Sequence, residues 1–355
     1  MNDIKVSFLG DIALVGSYNH LYKTGINPFD DVQAELASAD LVIGNLECLA
    51  EGSEGENLLK RPRLKTRLST LNYLKYLNLG VVALAHNHVY DNLEDGFVKT
   101  TDFLKKNYIR YLGAGRDIAQ ARKPIIFSLN GISIGLLNYV THDTNPNLPS
   151  DATVSLNWFE INHVVEDINA IRNKVDHVIL LLHWGGRAEG GYFPDFDQPK
   201  IARKLIDAGA DLIVGHHPHT LQPFENYREK YIFYSLGNFC FADYYTDGRL
   251  KKLDRKKRTK SIILTVTFTR KNYRVEFVPI INENLYIKQH DQVIATYKRR
   301  NLYFKLLKKS KIIWVAYYWN LKYVEPVLLY LRDDRSFKSK IKSLNLKKLI
   351  RFVTR

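Results

Sequence analysis

The sequence predicts an α/β fold, and two patterns along the chain carry that prediction. Short apolar runs typical of strands alternate with segments whose apolar residues recur at helical spacing. The dipeptide Asn130-Gly131 separates two apolar runs, which indicates a β-hairpin and therefore sheets of mixed strand direction. With 45% hydrophobic and 25% charged residues among 355, the composition excludes a mostly disordered chain.

The predicted elements follow one another along the first 268 residues. The strand-like runs are 6–9, 41–43, 81–85, 125–129, 132–137, 177–182, 212–214, 231–235 and 262–268. The helical patterns are 28–38, 69–77, 94–106, 158–172 and 199–208. Residues 51–68 and 243–260 are predicted to be exposed loops, because both segments are too polar to join a core.

Basic residues are concentrated in the last third of the chain. Residues 1–248 hold 23 Lys or Arg and 30 Asp or Glu, whereas residues 249–355 hold 29 and seven. The formal net charge of +15 therefore belongs to the C-terminal part, and a uniformly basic nucleic-acid-binding domain is excluded. Because no recognised binding module is present, we expect no nucleic-acid partner.

After about residue 285 the pattern becomes helical and basic, which predicts two domains: an α/β domain of residues 1–284 and a basic, aromatic-rich helical appendage of residues 285–355. In the appendage, apolar residues recur at three- and four-residue steps, as on one helix face: Trp314, Tyr317, Tyr318, Leu321, Val324 and Leu328. Two interpretations stay open. The helices dock this face on the α/β core, or they lie as cationic amphipathic helices on an anionic membrane surface.

The sequence shows no targeting or spanning segment. The opening MNDIKVSFLGDIALVG lacks the pattern of a signal peptide, and no run reaches the ~18 apolar residues of a transmembrane helix. We therefore expect a protein that is cytoplasmic or peripheral to the inner face of the membrane. Its basic C-terminal region is the expected contact with the membrane surface or with a membrane synthase complex.

Polar side chains cluster where the strand-like runs end: Asp11, Asn45, Glu47, Asn87, His88, His183, His216, His217 and His219. In open α/β sheets, ligands bind outside the carboxyl ends of the strands, and hard oxygen and imidazole ligands suit a divalent metal. Each residue alone also fits an ordinary turn or a hydrogen-bonding role. The segment GHHPH is the strongest element, and its spacing predicts that His217 and His219 face one side while His216 faces away.

The same segments resemble the CapA family, the bacterial capsule and poly-γ-glutamate synthesis proteins related to calcineurin-like metallophosphoesterases. The motifs that carry the resemblance span residues 4–245 and are FLGD, GNLE, NHVYDNLEDG, HWG, PDFDQPKIARKLIDAGADLIVGHHPHTLQP and YSLGNF. The resemblance implies a metallophosphoesterase-like sandwich of two mixed β-sheets flanked by helices. It also implies a metal-dependent, esterase-like hydrolase of capsule, poly-γ-glutamate or surface-polysaccharide biosynthesis that uses a metal-activated water.

The resemblance further implies a role for each matched residue. The implied ligands of one or two divalent ions (Mn, Zn, Fe or Mg) are Asp11, Glu47, Asn87, His183, His217 and His219. His88 is implied to protonate a leaving oxygen, and Asp91 either shares that catalytic role or orients the segment after His88. An anionic polymer or a phosphate-containing substrate is expected to contact Asn45, Arg187, Glu189, His216 and Asn238.

Three positions depart from the family pattern. Ala13 stands where phosphoesterases carry a histidine, Arg187 stands where the CapA pattern has an acid, with Glu189 two residues further on, and His86 replaces an asparagine. Two alternatives stay open, the first motivated by these departures and the basic C-terminal part, and the second permitted by the fold. One is a non-catalytic polymer-handling or scaffold subunit of a membrane synthase–export complex, and the other is a general nucleotide or lipid-pyrophosphate phosphatase.

Overall fold

The computed structural model describes residues 3–325 and 327–328, and the chain divides into two compact units after Leu306. The strands are β1 (Ile4–Ala13), β2 (Leu41–Leu46), β3 (Leu79–Ala83), β4 (Arg110–Leu112), β5 (Ala114–Gly115), β6 (Ile125–Leu129), β7 (Ile132–Val140), β8 (Ser155–Leu156), β9 (His177–His183), β10 (Leu212–His216), β11 (Phe224–Tyr227), β12 (Lys230–Phe233), β13 (Asn238–Phe241), β14 (Tyr244–Thr246), β15 (Arg249–Lys251), β16 (Lys260–Phe268), β17 (Tyr273–Glu283) and β18 (Tyr286–Gln289). The helices are α1 (Ser17–Leu21), α2 (Asp30–Ala37), α3 (Leu93–Lys106), α4 (Ile118–Arg122), α5 (Ile161–Arg172), α6 (Gln198–Asp207), α7 (Arg255–Arg258), α8 (Gln292–Leu307) and α9 (Lys311–Trp319).

Two large sheets form the body of the first unit. One has the order β18-β17-β16-β1-β2-β3-β4, with β13 also paired to β1, and the other has the order β11-β12-β10-β9-β7-β6. Both sheets mix parallel and antiparallel neighbours, since β1 runs parallel to β2 but antiparallel to β16, and β9 runs parallel to β7, which is antiparallel to β6. The predicted α/β sandwich of two mixed sheets is therefore confirmed.

Alternation along the strands builds two apolar layers. On β1, Val6 and Phe8 pack into the layer between the two sheets, together with Ile179 and Leu181 of β9. The next residue of β1, Leu9, faces the other way and packs beneath the helices, in the layer that also holds residues of α2 and α3. The two layers cover both faces of the first sheet, so that its strand ends are enclosed by protein.

The hairpin that the sequence predicts is present. Leu129 of β6 lies opposite Ile132 of β7, which leaves Asn130 and Gly131 as a two-residue turn. Both turn residues have positive φ angles, 52° and 74°, as a type I′ turn requires.

Three segments differ from their predicted form. The 69–77 pattern forms a 3₁₀ helix, Leu68–Leu77, rather than an α-helix. The 51–68 segment is a loop, but it is not exposed throughout, because Asn57, Lys60 and Arg63 are buried. The 243–260 segment is not a plain loop either, since it contains the β14–β15 hairpin and α7.

The compact unit continues past the predicted domain boundary at 284/285. Glu283 of β17 pairs with Tyr286 of β18, and Tyr297 of α8 packs in the apolar layer between the sheets with its ring 5.6 Å from that of Phe277. The second unit starts at Leu307 and contains α9. Residue 326 and residues 329–355 of the predicted appendage lie outside the described residues. None of the helices seen in residues 3–325 and 327–328 is both long and apolar enough to cross a membrane.

Asp211, just before β10, links two strands of the second sheet and the end of helix α5. Its carboxylate accepts hydrogen bonds from the backbone N–H of Val178 at 2.9 Å and from Lys230 Nζ at 2.7 Å, and it pairs with Arg172. Burial raises the pKa of Asp211, but these hydrogen bonds outweigh burial and lower the pKa below its usual value. Asp211 therefore stabilises the fold at pH values above about 4, the pKa of an aspartate in the unfolded chain. This contribution is lost as the pH falls through the lower pKa that Asp211 has in the folded chain.

We expect Asp211→Asn to lower the free energy of unfolding by about 2 kcal/mol at pH 7, because two cations and a buried N–H lose a charged acceptor. The difference from wild type should shrink as the pH falls below about 4. Urea unfolding followed by circular dichroism at several pH values measures both effects. Asp207→Asn is the matched control, because that side chain is 40% exposed. Equal losses for the two variants would contradict the assignment.

Candidate metal centre

Asp11 reaches the meeting point of the two sheets because a glycine precedes it. A Cβ on Gly10 would lie only 1.9 Å from the carbonyl oxygen of Gly237, so only glycine permits this approach. The backbone N–H of Asp11 then donates to that carbonyl at 2.9 Å. In the resulting register Asp11 lies opposite Asn45 of β2 and Asn238 of β13.

Glu47 follows β2 by one residue and is completely buried. Its backbone N–H donates to the carbonyl of Ile12 at 2.9 Å, but neither carboxylate oxygen has a hydrogen-bond partner within the described chain. Burial raises the pKa of Glu47 well above its usual value, and the negative charge of Asp11 raises it further. An anionic Glu47 therefore requires a cation next to it.

The second sheet delivers the histidines. His183 ends β9 and lies opposite His216, which ends β10. The turn that follows holds His217 at φ 96° and His219 at φ 58°, both in the left-handed region that is unfavourable for a side chain with a Cβ. Strain of this kind is tolerated where the surrounding structure fixes it, and it concentrates at functional sites.

The first group of ligand atoms centres on His183. Its Nε2 lies 3.0 Å from Asn87 Oδ1, 3.1 Å from His217 Nδ1 and 3.8 Å from Glu47 Oε1. Four ligands at ~2.0–2.1 Å from a tetrahedral metal are separated from one another by roughly 3.3 Å. The observed separations, which are also within hydrogen-bond range, match those of atoms that could share one ion.

The second group centres on His219. Its Nδ1 lies 3.0 Å from Asn238 Oδ1 and 3.3 Å from Asp11 Oδ2, and its Nε2 lies 3.5 Å from Glu47 Oε1. Because the amide nitrogen of Asn238 donates to the carbonyl of Arg258, its oxygen must accept, so that Nδ1 of His219 carries the proton. Nε2 then presents a lone pair towards Glu47, which both groups share.

The cluster has too few protons for its acceptors. Burial lowers the pKa of His217 to about 3 and that of His183 well below its usual value, so both imidazoles are neutral. His217 Nε2 and both oxygens of Glu47 lack hydrogen bonds among residues 3–325. Ligand atoms of Glu47, His217 and His219 also lie within 4.8 Å of one another. This donor set fits a divalent cation.

His88 and Asp91 form a buried pair beside the cluster. His88 Nδ1 lies 2.6 Å from Asp91 Oδ2, which also accepts the backbone N–H of Leu64 at 2.6 Å. Burial lowers the pKa of His88 well below its usual value and raises that of Asp91 well above it. The arrangement lets Asp91 orient the imidazole of His88.

The remaining predicted site residues fall into different positions. Asn45 Nδ2 donates to Asp11 Oδ1 at 2.9 Å and orients that carboxylate. His216 Nε2 bonds to the carbonyl of Leu9 at 3.1 Å and joins β10 to β1, so the turn separates it from His217 and His219. This backbone partner does not favour the predicted contact of His216 with substrate.

Two further predicted residues lie in the segment after β9. The side chain of Arg187 is 66% exposed and pairs with Asp195 at 2.7 Å, whereas Glu189 pairs with Arg258 at 2.9 Å. A contact between either side chain and substrate stays a prediction.

Two of the positions that depart from the family pattern are also buried. Ala13 packs in the apolar layer beneath the helices, and its methyl group offers no ligand atom. His86 Nδ1 accepts the backbone N–H of His88 at 3.1 Å. Its Nε2 has no hydrogen-bond partner in the described residues, and its ring lies 5.8 Å from that of His183.

Sequence reasoning missed two cations near the cluster, Lys60 and Arg258. Both come from the polar segments that the sequence predicted to be exposed loops, and their charges lower the pKa of Glu47 against the larger rise that burial causes. Charged residues in a polar segment are typical of solvated loops, so the sequence contains no local signal for this placement.

Comparison with known proteins identifies the family. The family model described as "Bacterial capsule synthesis protein PGA_cap" matches residues 5–243. The chain is 31% identical over 260 residues to the PGA biosynthesis protein CapA of Bacillus subtilis (strain 168), which covers 69% of this chain and 65% of that protein. It is 29% identical over 230 residues to the capsule biosynthesis protein CapA of Bacillus anthracis, which covers 61% of this chain and 54% of that protein.

The chain thus spans 54–65% of the length of these two curated relatives. A solved structure of a putative 5′-nucleotidase from Staphylococcus aureus, in complex with α-ketoglutarate, matches with a TM-score of 0.50. The match covers 84% of this chain and 58% of that chain at 11% identity, and it shows the fold alone. The resemblance to the CapA family is confirmed by the extent of the family match, and the chain belongs to the bacterial capsule synthesis family PGA_cap.

Proposed function

We propose that the protein is a metal-dependent hydrolase of capsule, poly-γ-glutamate or surface-polysaccharide synthesis. The observation that supports this proposal is the buried set of acceptor atoms around Glu47, which has neither the protons nor the hydrogen bonds to satisfy itself. Membership of the capsule synthesis family supports the cellular role. The substrate class that we propose is an anionic polymer or a phosphate-containing molecule.

Each group of the cluster has a proposed role. Asp11, Glu47, Asn87, His183, His217 and His219 would hold one or two divalent ions, of which Mn, Zn, Fe and Mg are candidates. Bound there, such an ion would supply Lewis acidity and a water of lowered pKa. Asn45 and Asn238 hold Asp11 and His219 in orientation through bonds of 2.9 and 3.0 Å.

His88 is the proposed proton donor to the leaving oxygen. Asp91 holds Nδ1 of His88 at 2.6 Å, which leaves Nε2 for proton transfer. The pair is buried, with His88 4% and Asp91 1% exposed, so bulk water has little access to the proton.

A non-catalytic scaffold is the alternative that a specific observation favours. Ala13 provides no ligand atom at a position where the resembled phosphoesterases carry a histidine. The group of ligand atoms around His219 therefore has one ligand fewer than the group around His183. A structural ion in such a site would retain the fold without turnover, and activity measurements separate the two proposals.

For location, we propose that the second unit brings the protein to an anionic membrane surface or a membrane synthase complex. Residues 307–355 contain 13 Lys or Arg and three Asp or Glu. Several apolar side chains of α9 are exposed, among them Ile312 at 82% and Trp319 at 60%. Exposed apolar groups next to positive charge are typical of helices that lie on anionic membranes.

Metal loading tests the ligand set. We expect wild-type protein incubated with Mn²⁺ or Zn²⁺ and then dialysed to retain one or two ions per chain, measured by plasma mass spectrometry. His217→Ala should lose most of this metal. Asn238→Ala should bind the metal about 10- to 100-fold more weakly than wild type, because Asn238 only orients His219. His163→Ala, an exposed histidine on α5, is the matched control. Equal metal content in all four proteins, or none in wild type, would refute the site.

Activity separates catalysis from scaffolding. We expect metal-loaded wild type to hydrolyse at least one of a phosphomonoester, a phosphodiester and a γ-glutamyl polymer, and His88→Ala to lower kcat about 10²- to 10⁴-fold. The metal content of His88→Ala should stay unchanged, because His88 is not among the proposed ligands. Turnover by wild type that His88→Ala leaves intact would contradict the role of His88. Absence of turnover on all three substrates would favour the scaffold.

Vesicle co-sedimentation tests the proposed location. We expect the full chain to sediment with vesicles that contain an anionic phospholipid, and a chain that ends at Leu306 to remain in the supernatant. Leu306 is the natural end point, because the first compact unit ends there. Binding should weaken as salt increases and should disappear on neutral vesicles. Equal sedimentation of the two chains would rule out the membrane contact.

A further inference from the structure

Lys60 is a buried lysine in the 51–68 loop, with only 2% of its surface exposed. Its backbone is well held, since its N–H donates to the carbonyl of Asn57 at 3.2 Å and its carbonyl accepts from Arg63 at 2.9 Å. Its ammonium group, in contrast, makes no hydrogen bond and no ion pair with any residue that the structure describes. Nζ is not among the fully enclosed polar atoms, so the little exposure that Lys60 retains includes this atom. A nearly buried charge without a protein partner costs free energy, and such groups concentrate where a ligand binds.

The loop places Lys60 over the proton-transfer pair. The backbone N–H of Asn57 donates to the carbonyl of Asp91 at 2.9 Å, and the backbone N–H of Leu64 donates to its carboxylate at 2.6 Å. The arch from residue 57 to residue 64 is therefore fixed to Asp91 at both ends. Lys60 lies in the middle of this arch.

A second set of contacts ties the arch to the 243–260 segment. Arg63, which is 6% exposed, pairs with Asp247 and also donates to Glu56 at 2.9 Å. Arg61 Nε reaches the other oxygen of Asp247 at 3.1 Å. These contacts join the two segments, which we call the cationic strap (residues 51–68 and 243–260).

The charge of Lys60 acts on the site directly. Burial raises the pKa of Glu47 and Asp91, and the positive charge of Lys60 opposes that rise in both groups. Burial lowers the pKa of His88, and Lys60 lowers it further. The ammonium is therefore close enough to Glu47, Asp91 and His88 for its charge to act on all three groups.

The acidic metal ligands do not need the positive charge of Lys60, which can therefore attract an anion. Of the proposed metal ligands only Asp11 and Glu47 are acidic, so a single divalent ion balances them. Glu189 is already paired with Arg258 at 2.9 Å. Asp91 is the other acid close to Lys60, and burial raises its pKa well above the usual value. With Asp91 protonated, a metal-loaded site carries the charge of Lys60 in excess, which a negatively charged substrate group would neutralise.

We propose that Lys60 is a substrate-binding residue whose ammonium donates hydrogen bonds to an oxyanion of the molecule held at the metal cluster. The inference rests on the proposed metal site, and it assigns a function to a segment that lies outside the ligand set. The oxyanion is a phosphate oxygen or a carboxylate oxygen, since an ammonium group binds both as a point charge.

Ligand binding tests the proposal. Mn²⁺-loaded full-length protein is titrated by calorimetry with inorganic phosphate and, separately, with γ-glutamyl-glutamate. We expect Lys60→Met to bind at least one of these probes about 10- to 100-fold more weakly than wild type, because a charge-assisted hydrogen bond is lost. Lys60→Arg should keep most of the affinity. Lys75→Met is the matched control, since Lys75 is exposed and lies outside the strap.

The two probes distinguish the sources of the oxyanion. An effect on phosphate alone assigns Lys60 to a phosphate group, an effect on the dipeptide alone assigns it to a glutamyl carboxylate, and an effect on both assigns it to oxyanions in general. Unchanged binding of both probes by Lys60→Met overturns the proposal, as does a wild-type protein that binds neither. Metal content measured on the same samples shows whether the ligand set itself has failed.

Thermal unfolding of the metal-free proteins separates a binding role from a structural one. A nearly buried lysine that is retained for ligand binding destabilises the protein when no ligand is bound. Metal-free Lys60→Met should therefore melt at the same temperature as wild type or at a higher one. A melting temperature lowered by several degrees together with unchanged probe binding would assign Lys60 a structural role and overturn the proposal. If Lys60→Met does not fold, equal probe binding by Lys60→Gln and wild type overturns it in the same way.

Discussion

Two buried carboxylates, Asp11 and Glu47, set the constraint on which the site depends. Each is completely enclosed, and burial together with the charge of Asp11 raises the pKa of Glu47. Asp11 is balanced by its bonds to Asn45 and His219, whereas Glu47 has no hydrogen bond to its carboxylate from any described residue. The fold therefore keeps an acid in its interior at a cost in free energy that a bound cation would remove.

Other local features are consequences of holding these carboxylates in place. Gly10 is needed because Asp11 must reach the carbonyl of Gly237, and the positive φ angles of His217 and His219 turn two imidazoles towards Glu47. These features also show what the sequence could predict. Each lies at a strand end or in a tight turn, where a local pattern such as GHHPH determines which way a side chain points. Strand-end positions in the sequence therefore predict most of the side chains that the structure brings together around Glu47.

The cationic strap shows what local patterns could not predict. Arg63 and Asp247 lie 184 residues apart in the chain, so nothing close to either residue indicates that they pair. Asn57, Lys60 and Arg63 are polar residues in a polar segment, and such segments are usually solvated. Their burial depends on the fixed position of Asp91 beneath them, which only the assembled fold supplies. A tertiary contact of this kind overrides composition.

The extent of the first compact unit changes how the net charge of +15 is divided between the two parts of the chain. By sequence the body up to residue 248 is acidic and the remainder is basic, but the compact unit extends to Leu306. Residues 249–306 hold 16 Lys or Arg and four Asp or Glu, which converts the body from a net charge of −7 to one of +5. Arg258, one of these basic residues, pairs with Glu189 beside the cluster. Part of the positive charge thus lies in the unit that holds the cluster, and the rest lies in residues 307–355.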